Sequence, residues 1–155
     1  MNIIIRSQDD AATEVRQEPG KWSVISIRGP EDGVIPIDNH TDLCADVLVV
    51  EFDDVWKQMH EDRGWGKLAT PEQLTEILKW AEGKENILVH CFAGICRSSA
   101  VAFLIGSQAE GPESAMRFMS TKLHTPNEWV IRLGAHLLKN REIERVFDQK
   151  WGQFL

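Results

Sequence analysis

The eleven residues from His90 to Ala100, HCFAGICRSSA, constrain this chain more than any other stretch. Cys91 and Arg97 are separated by five residues, with Ser98 immediately behind. The apolar run Asn86-Ile87-Leu88-Val89 precedes them, and Ala100 to Ile105 follows, apolar on every face. The pattern predicts strand, tight loop and buried helix, with the loop at the strand's carboxyl end, where open α/β sheets bind ligands. A loop that opens a helix aims free backbone N–H groups and the positive end of the dipole at one point. Phe92, Ala93, Gly94, Ile95 and Cys96, with Ala93-Gly94 in the middle, can curl into a cup for a tetrahedral oxyanion. Arg97 adds a planar fork that matches two of its oxygens. At the base of such a cup Cys91 is expected to be a thiolate, because helix N-termini and cationic neighbours lower a thiol pKa from about 8.5 to about 3.5–7.5. Anion cradle, guanidinium clamp and thiolate are the parts needed to take a phosphoryl group onto sulfur.

The rest of the composition narrows the setting. With 155 residues, 43% of them hydrophobic, the chain is long enough for one domain, residues 1–155, with a sizeable core. Its 24 Asp and Glu against 17 Lys and Arg give a net charge of −7. That balance repels nucleic acid and anionic membrane, so neither is expected as a partner, and any positive field must be local to the cup. Three apolar residues before Arg6 are too few for a signal peptide, and no stretch approaches the roughly twenty apolar residues of a membrane span. Three cysteines, an odd number beside an expected thiolate, point to a reducing compartment and a cytoplasmic protein. No feature fixes an oligomeric state.

In chain order, Asn2 to Arg6 reads as a buried strand and Ala11 to Glu18 as a short helix stopped by Pro19-Gly20. Trp22 to Arg28 alternates apolar and polar residues as a second strand. Gly33 to Asn39 reads as loop, with a small edge strand at Val34 to Ile37, and Asp46 to Phe52 is the third main strand. Cys44 reads as a packed thiol. Asp53 to Ala69 shows no clean period, apart from a helical turn at Val55 to Glu61. Compact domains seldom keep so long a connection unless it works as a lid or binding loop. Thr70-Pro71-Glu72-Gln73 is a capping box for a helix that buries Leu74, Ile77, Leu78 and Ala81. Behind the signature, Pro112 to Leu123 reads as one helix. Thr125-Pro126-Asn127-Glu128 repeats the cap pattern ahead of a stripe of Trp129, Leu133, His136 or Leu137, and Leu138. Arg141 to Trp151 is a terminal helix burying Ile143, Val146, Phe147 and Trp151. The alternation predicts an α/β fold, with a mainly parallel sheet of four to five strands flanked by helices.

The signature resembles that of the cysteine-dependent protein tyrosine and dual-specificity phosphatases, H-C-x5-R-[ST], matched at His90, Cys91, Arg97 and Ser98. The resemblance covers roughly residues 45 to 140. It implies a tyrosine phosphatase-like fold and hydrolysis through a phosphocysteine, without metal or cofactor. The substrate expected is a phosphorylated protein or peptide, carrying phosphotyrosine or also phosphoserine and phosphothreonine. In that family an Asp on a separate loop, a few tens of residues before the cysteine, protonates the leaving group. Asp53 and Asp54 lie 38 and 37 residues ahead of Cys91; Asp54, next to the apolar Val55, is the preferred candidate, and Asp62 the third. The family implies that His90 hydrogen-bonds the cysteine backbone and tunes its pKa, and that Ser98 donates to the thiolate. Pro126-Asn127 is similar to a Pro-Asn pair whose Asn side chain braces the loop. Lys122 and Arg28 are candidate rim cations.

Departures from the family pattern matter as well. The acid lies in no Trp-Pro-Asp sequence. Phe92 and Ile95 stand where lipid phosphatases with a similar signature often carry lysines, which weighs against phosphoinositides. Ile95-Cys96-Arg97-Ser98 is similar to the loop of the low-molecular-weight tyrosine phosphatases, which implies that Cys96 can pair reversibly with Cys91. A small apolar residue packed under the loop is the competing role for Cys96. Two other activities stay open: a 5′-phosphatase acting on nucleotides or RNA, and a phosphopeptide-binding module without turnover.

Overall fold

The computed structural model describes residues 1–152 and contains one four-stranded sheet. Its strands are β1 (Asn2–Ser7), β2 (Ser23–Arg28), β3 (Asp46–Glu51) and β4 (Asn86–Cys91), in spatial order β1-β4-β2-β3. Every pairing is parallel. A parallel sheet is covered on both faces, and its inner strands read as unbroken apolar runs. β2 is buried at all six positions and β4 at five of six, whereas edge strand β3 buries only Val50.

Two apolar layers follow from strand alternation. Ile25, Ile27, Ile87 and Val89 face the larger core, made with α3 (Pro71–Ala81), α4 (Arg97–Glu110), α6 (Glu128–Leu137) and α7 (Arg141–Trp151). Val24 and Leu88 face the smaller layer, with α1 (Gln8–Gln17), Trp22, Ile35 and Ile37. The capping box of α3 forms as expected: Thr70 Oγ1 accepts from Gln73 N at 3.2 Å, and Gln73 Oε1 accepts from Thr70 N at 3.0 Å. The four apolar residues expected along α3, and the four along α7, are buried. Phe147 and Trp151 stack with centroids 5.8 Å apart, and Trp151 Nε1 donates to His124 O.

Five details differ from the sequence expectations, each for a local reason. Helix α1 starts at Gln8, three residues early, because Ser7 ends β1 and caps the helix through Asp10 N. No edge strand forms at Val34 to Ile37; Pro36 opens a 3₁₀ turn, Pro36–Asn39, and Asp38 Oδ2 accepts from Ile35 N. Between Asp53 and Ala69 the helical turn falls at α2 (Gln58–Asp62), with Gly64 and Gly66 at positive φ beyond it. Pro112 to Leu123 is not one helix: α5 (Pro112–Ala115) is a single turn, a 3₁₀ turn spans Met116–Phe118, and Met119 is extended. Beyond it Lys122 and Leu123 have no buried face to hold helix. Finally, Asn127 rather than Thr125 caps α6, and that helix centres its buried face on Val130, Ile131, Gly134 and Ala135. The larger Trp129, Leu133, Leu137 and Leu138 pack half-buried along its edges, and His136 is exposed.

Gly134 shows why the small residues are central. A Cβ there would run into the side chain of Leu104, which is itself buried on α4 and has nowhere to go. Gly134→Ala is therefore expected to destabilise the fold by about 1–3 kcal/mol through overpacking. Urea unfolding checks it: the midpoint should fall with the slope unchanged.

Candidate active site

The sheet's strands end on one side, and two of the segments leaving them converge there with the segment that opens α6. The loop from Phe92 to Cys96 joins β4 to α4. Phe52 and Asp53-Asp54 leave β3, and residues 125–127 arrive from the other side to open α6. The loop is shaped by where its carbonyls go. Cys91 O faces His90 Nδ1 at 3.2 Å, and Phe92 O accepts from Gln8 N. Ile95 O accepts from Thr125 N and Ser99 Oγ, and Cys96 O from Asn127 N and Ala100 N. Since a peptide's N–H and C=O point in opposite directions, outward carbonyls leave the N–H groups facing inward. Gly94 makes the curl possible: its φ is +72°, and a Cβ would lie 2.6 Å from the backbone of Arg6 and Ser7. Phe92, Ala93 and Ile95 carry their side chains to the exposed rim.

Cys91 is buried at the base, and its sulfur lies 3.1 Å from Ser98 Oγ. Burial pushes the thiol up, but hydrogen bonds from the Ser98 hydroxyl and N–H, the Arg97 charge and the Gly94 N–H outweigh it. The net result is a pKa below the ordinary thiol value. Arg97 is buried at the first position of α4, with Nη1 donating to Phe52 O at 2.9 Å. That bond fixes the guanidinium between β3's end and the cup. His90 is fully buried, and burial lowers its pKa to about 4, so the ring is neutral at physiological pH.

The two neighbouring carboxylates separate at the strand end. Asp53 N donates to Lys67 O at 2.8 Å, and Asp53 Oδ2 accepts from Lys67 N at 2.7 Å. Gly29 and Gly66 press so close to Asp53 that a Cβ on either would strike it. Asp53 thus closes the base of the 54–66 excursion. Asp54 turns the other way, exposed, with Oδ1 accepting from Asn127 Nδ2 at 2.8 Å. It lines a cavity of about 370 Å³ with Trp56, Cys96, Pro126, Asn127 and Glu128. Asp62 is exposed on α2 and bonds Gln58.

Asn127 reaches elsewhere than expected. Its backbone braces the loop, while its side chain holds the acid segment through Asp54 and Val55 O and caps α6 through Val130 N. Arg28 is not a rim cation: it is buried and paired with Asp38. Lys122 stands exposed and makes no hydrogen bond or ion pair among the described residues. Cys96 is half-buried, and burial, with Asp54 and Cys91 adding, pushes its thiol up to about 12. A thiol so protonated is a slow partner for Cys91, because exchange proceeds through the thiolate. Ser99 was not among the sequence candidates; its hydroxyl holds the carbonyls of Ile95 and Cys96 at 2.6 and 3.1 Å. The paired serines after Arg97 were its only signal. No group of three or more metal-ligating side chains occurs among the described residues. Nor is any helix among them long and apolar enough to cross a membrane.

The site's chemistry is checked at the sulfur. Alkylation of Cys91 by iodoacetamide should show a pKa below that of a free thiol, and Ser98→Ala should move it upward. Equal profiles for the two proteins would mean that the 3.1 Å contact does not stabilise the thiolate.

No protein-family model matches the chain, and no curated protein matches it in sequence. Its similarity to solved structures spans almost the whole chain. A Cydia pomonella PTP-2 phosphatase is 22% identical, with a TM-score of 0.57 over 86% of this chain and 83% of that one. The human tyrosine phosphatase-like serine/threonine/tyrosine-interacting protein is 19% identical, with a TM-score of 0.60 over 94% and 93%. PTPMT1, crystallised in complex with PI(5)P, is 14% identical, with a TM-score of 0.59 over 93% of each chain. At such identities the likeness is one of architecture, and the chain has the α/β fold of the tyrosine and dual-specificity phosphatases.

Proposed function

We propose that this protein is a cysteine-dependent phosphatase that hydrolyses phosphotyrosine in proteins or peptides, through a phosphocysteine intermediate. The observation that carries the reading is the Cys91 sulfur, lowered in pKa, at the base of a loop whose paired carbonyls face outward. The inward N–H groups and Arg97 hold the phosphoryl oxygens and match the charge that grows on them in flight. Cys91 attacks phosphorus, and Asp54 donates a proton to the departing oxygen. Water then attacks the phosphocysteine with Asp54 as base, and the Ser98 hydroxyl stabilises the returning thiolate. Asp54 has this role over Asp53 because Asp53 is boxed in by Gly29, Gly66 and Lys67.

The rim supports a protein substrate. Phe92 and Ile95 stand exposed on the loop and Trp56 on the acid segment, so apolar surface borders the cup. The cavity beside Asp54 is lined by no cation. A ligand such as PI(5)P, which PTPMT1 binds, brings a second phosphate that this lining has no charge to meet. The same argument disfavours nucleotides carrying further phosphates. Phosphoserine and phosphothreonine extend the reading and are decided by a substrate panel.

Three outcomes test it. Cys91→Ser should abolish turnover of phosphotyrosine peptides while leaving binding of a phosphate mimic measurable; near-normal turnover would refute the mechanism. Asp54→Asn should lose roughly 10²–10⁴-fold on substrates with poor leaving groups and much less on nitrophenyl phosphate, whereas Asp53→Asn should act through stability instead. A panel of phosphopeptides, nucleotides and inositol phosphates should favour phosphotyrosine peptides. Binding without turnover of any of them would leave only a phosphopeptide-binding module.

A further inference from the structure

Beneath the cup, on the α1 face of the sheet, lies a buried polar cluster that the chemistry above does not use. His90 sits in register with Ser26 on β2 and with Arg6 on β1. Arg28, two residues beyond Ser26 and on the same face, is only 7% exposed. Its Nη2 donates to Ser26 Oγ at 2.6 Å, and its two Nη groups grip Asp38 at 2.9 and 3.0 Å. Two buried side-chain atoms of the cluster have no protein partner, Arg28 Nε and His90 Nε2.

These two orphans are chemically complementary. Arg28 Nε–H can only donate. The state of His90 Nε2 follows from the other ring nitrogen, since Nδ1 lies 3.2 Å from Cys91 O, which can only accept. Nδ1 therefore carries the proton, and in a neutral ring Nε2 is a lone pair. Burial does most to favour that neutral form; Arg28 and Arg97 also lower the ring's affinity for a second proton, while the Cys91 carbonyl and Asp38 raise it. Arg6 is neutralised by Glu14 at 2.9 Å, and α1 packs here with the apolar Ala11 and Val15.

We propose that Arg28 is a positioning residue for the nucleophile: by holding the Asp38 charge beside the ring, its guanidinium adds to burial in keeping His90 from a second proton, so that its one proton stays on Nδ1 and the Cys91 carbonyl stays turned out of the cup. If the proton moved to Nε2, the Nδ1 lone pair would face the carbonyl oxygen and repel it. The peptide dipole at the base of the cup would then turn toward the thiolate. If the ring took a second proton instead, it would add a charge that titrates beside Cys91. Either change alters the pH profile of the sulfur. The inference rests on the phosphatase reading only in taking Cys91 as the reactive thiol, and its test involves no turnover.

The test uses the full chain labelled with ¹⁵N-histidine. In the unsubstituted protein, ¹⁵N–¹H spectra should show His90 protonated at Nδ1 and bare at Nε2 from about pH 5.5 to 8. Alkylation of Cys91 should follow a single step. Arg28→Met leaves Asp38 beside the ring without its counter-charge. His90 should then titrate in the region of pH 5–7, or shift its proton to Nε2. The alkylation profile should gain a second inflection or move upward. Arg28→Lys keeps the charge and should keep both the neutral ring and the single step. An Nε2–H ring, or titration near pH 6.5, in the unsubstituted protein overturns the proposal. So does Arg28→Met with both readouts unchanged. If Arg28→Met does not fold, the unsubstituted spectrum and Arg28→Lys decide; a His90 titrating between about pH 5 and 7 in Arg28→Lys sinks the charge argument. The expected spectra in a protein inactive on every phosphate ester would refute the phosphatase reading alone.

Discussion

The site depends on the direction of four peptide carbonyls, those of Cys91, Phe92, Ile95 and Cys96. Each is turned away from the cup; that of Cys91 faces the neighbouring His90 ring, and the other three are held by another part of the fold or by the helix behind. The partners come from β4 itself, from the β1–α1 junction, from the segment that opens α6 and from the first turn of α4. An anion site made of backbone amides has no side chains of its own to orient it, so its geometry must be borrowed from the elements around it. That explains why a loop of five residues is contacted by so much of the domain. The rim stands apart from this: Phe92 and Ile95 face solvent, and their side chains bear on none of these bonds.

The strand–loop–helix unit at the centre was legible because chemistry and periodicity agree there. β4 is buried on both faces, α4 is buried on every face for three turns, and the signature lies between them. The capping box at Thr70 and the stripes of α3 and α7 were legible for the same reason: local signals and burial coincide. Where they part, sequence reading fails. On α6 the largest apolar residues lie at the edges, because the close approach of Leu104 on α4 requires Gly134. At Pro36–Asn39 the apolar pair Ile35 and Ile37 reads as strand, yet Pro36 has no N–H for a ladder and Asp38 ties the segment to Arg28. Arg28 itself reads as a rim cation at a strand end, whereas it is buried and paired with Asp38, ten residues on.

The acid side of the site illustrates a deeper limit. Asp53 and Asp54 are identical in type, adjacent, and equally far from the signature for any spacing argument. Successive side chains leaving a strand point to opposite sides, so at most one of them can face a given neighbour. Which one does is decided by tertiary contacts: Lys67 N takes Asp53, and Asn127 Nδ2 takes Asp54. Neither partner can be chosen from the pair itself.

Asn127 is where these separate parts meet. One buried side chain caps α6 with its oxygen and holds Asp54 and Val55 O with its nitrogen, while its backbone N–H fixes the last carbonyl of the loop. Asp54, the end of the cup and the start of α6 are thus all tied to a single residue. A displacement of α6 would carry the loop's end and the carboxylate together, preserving their spacing. Independent anchors would let the same displacement open the gap between them. For the proposed reaction, which would need donor and nucleophile aligned to within about 1 Å, a shared anchor is the more robust arrangement. The packing of α6 against α4 at Gly134 is then part of the site's geometry as well as of the core.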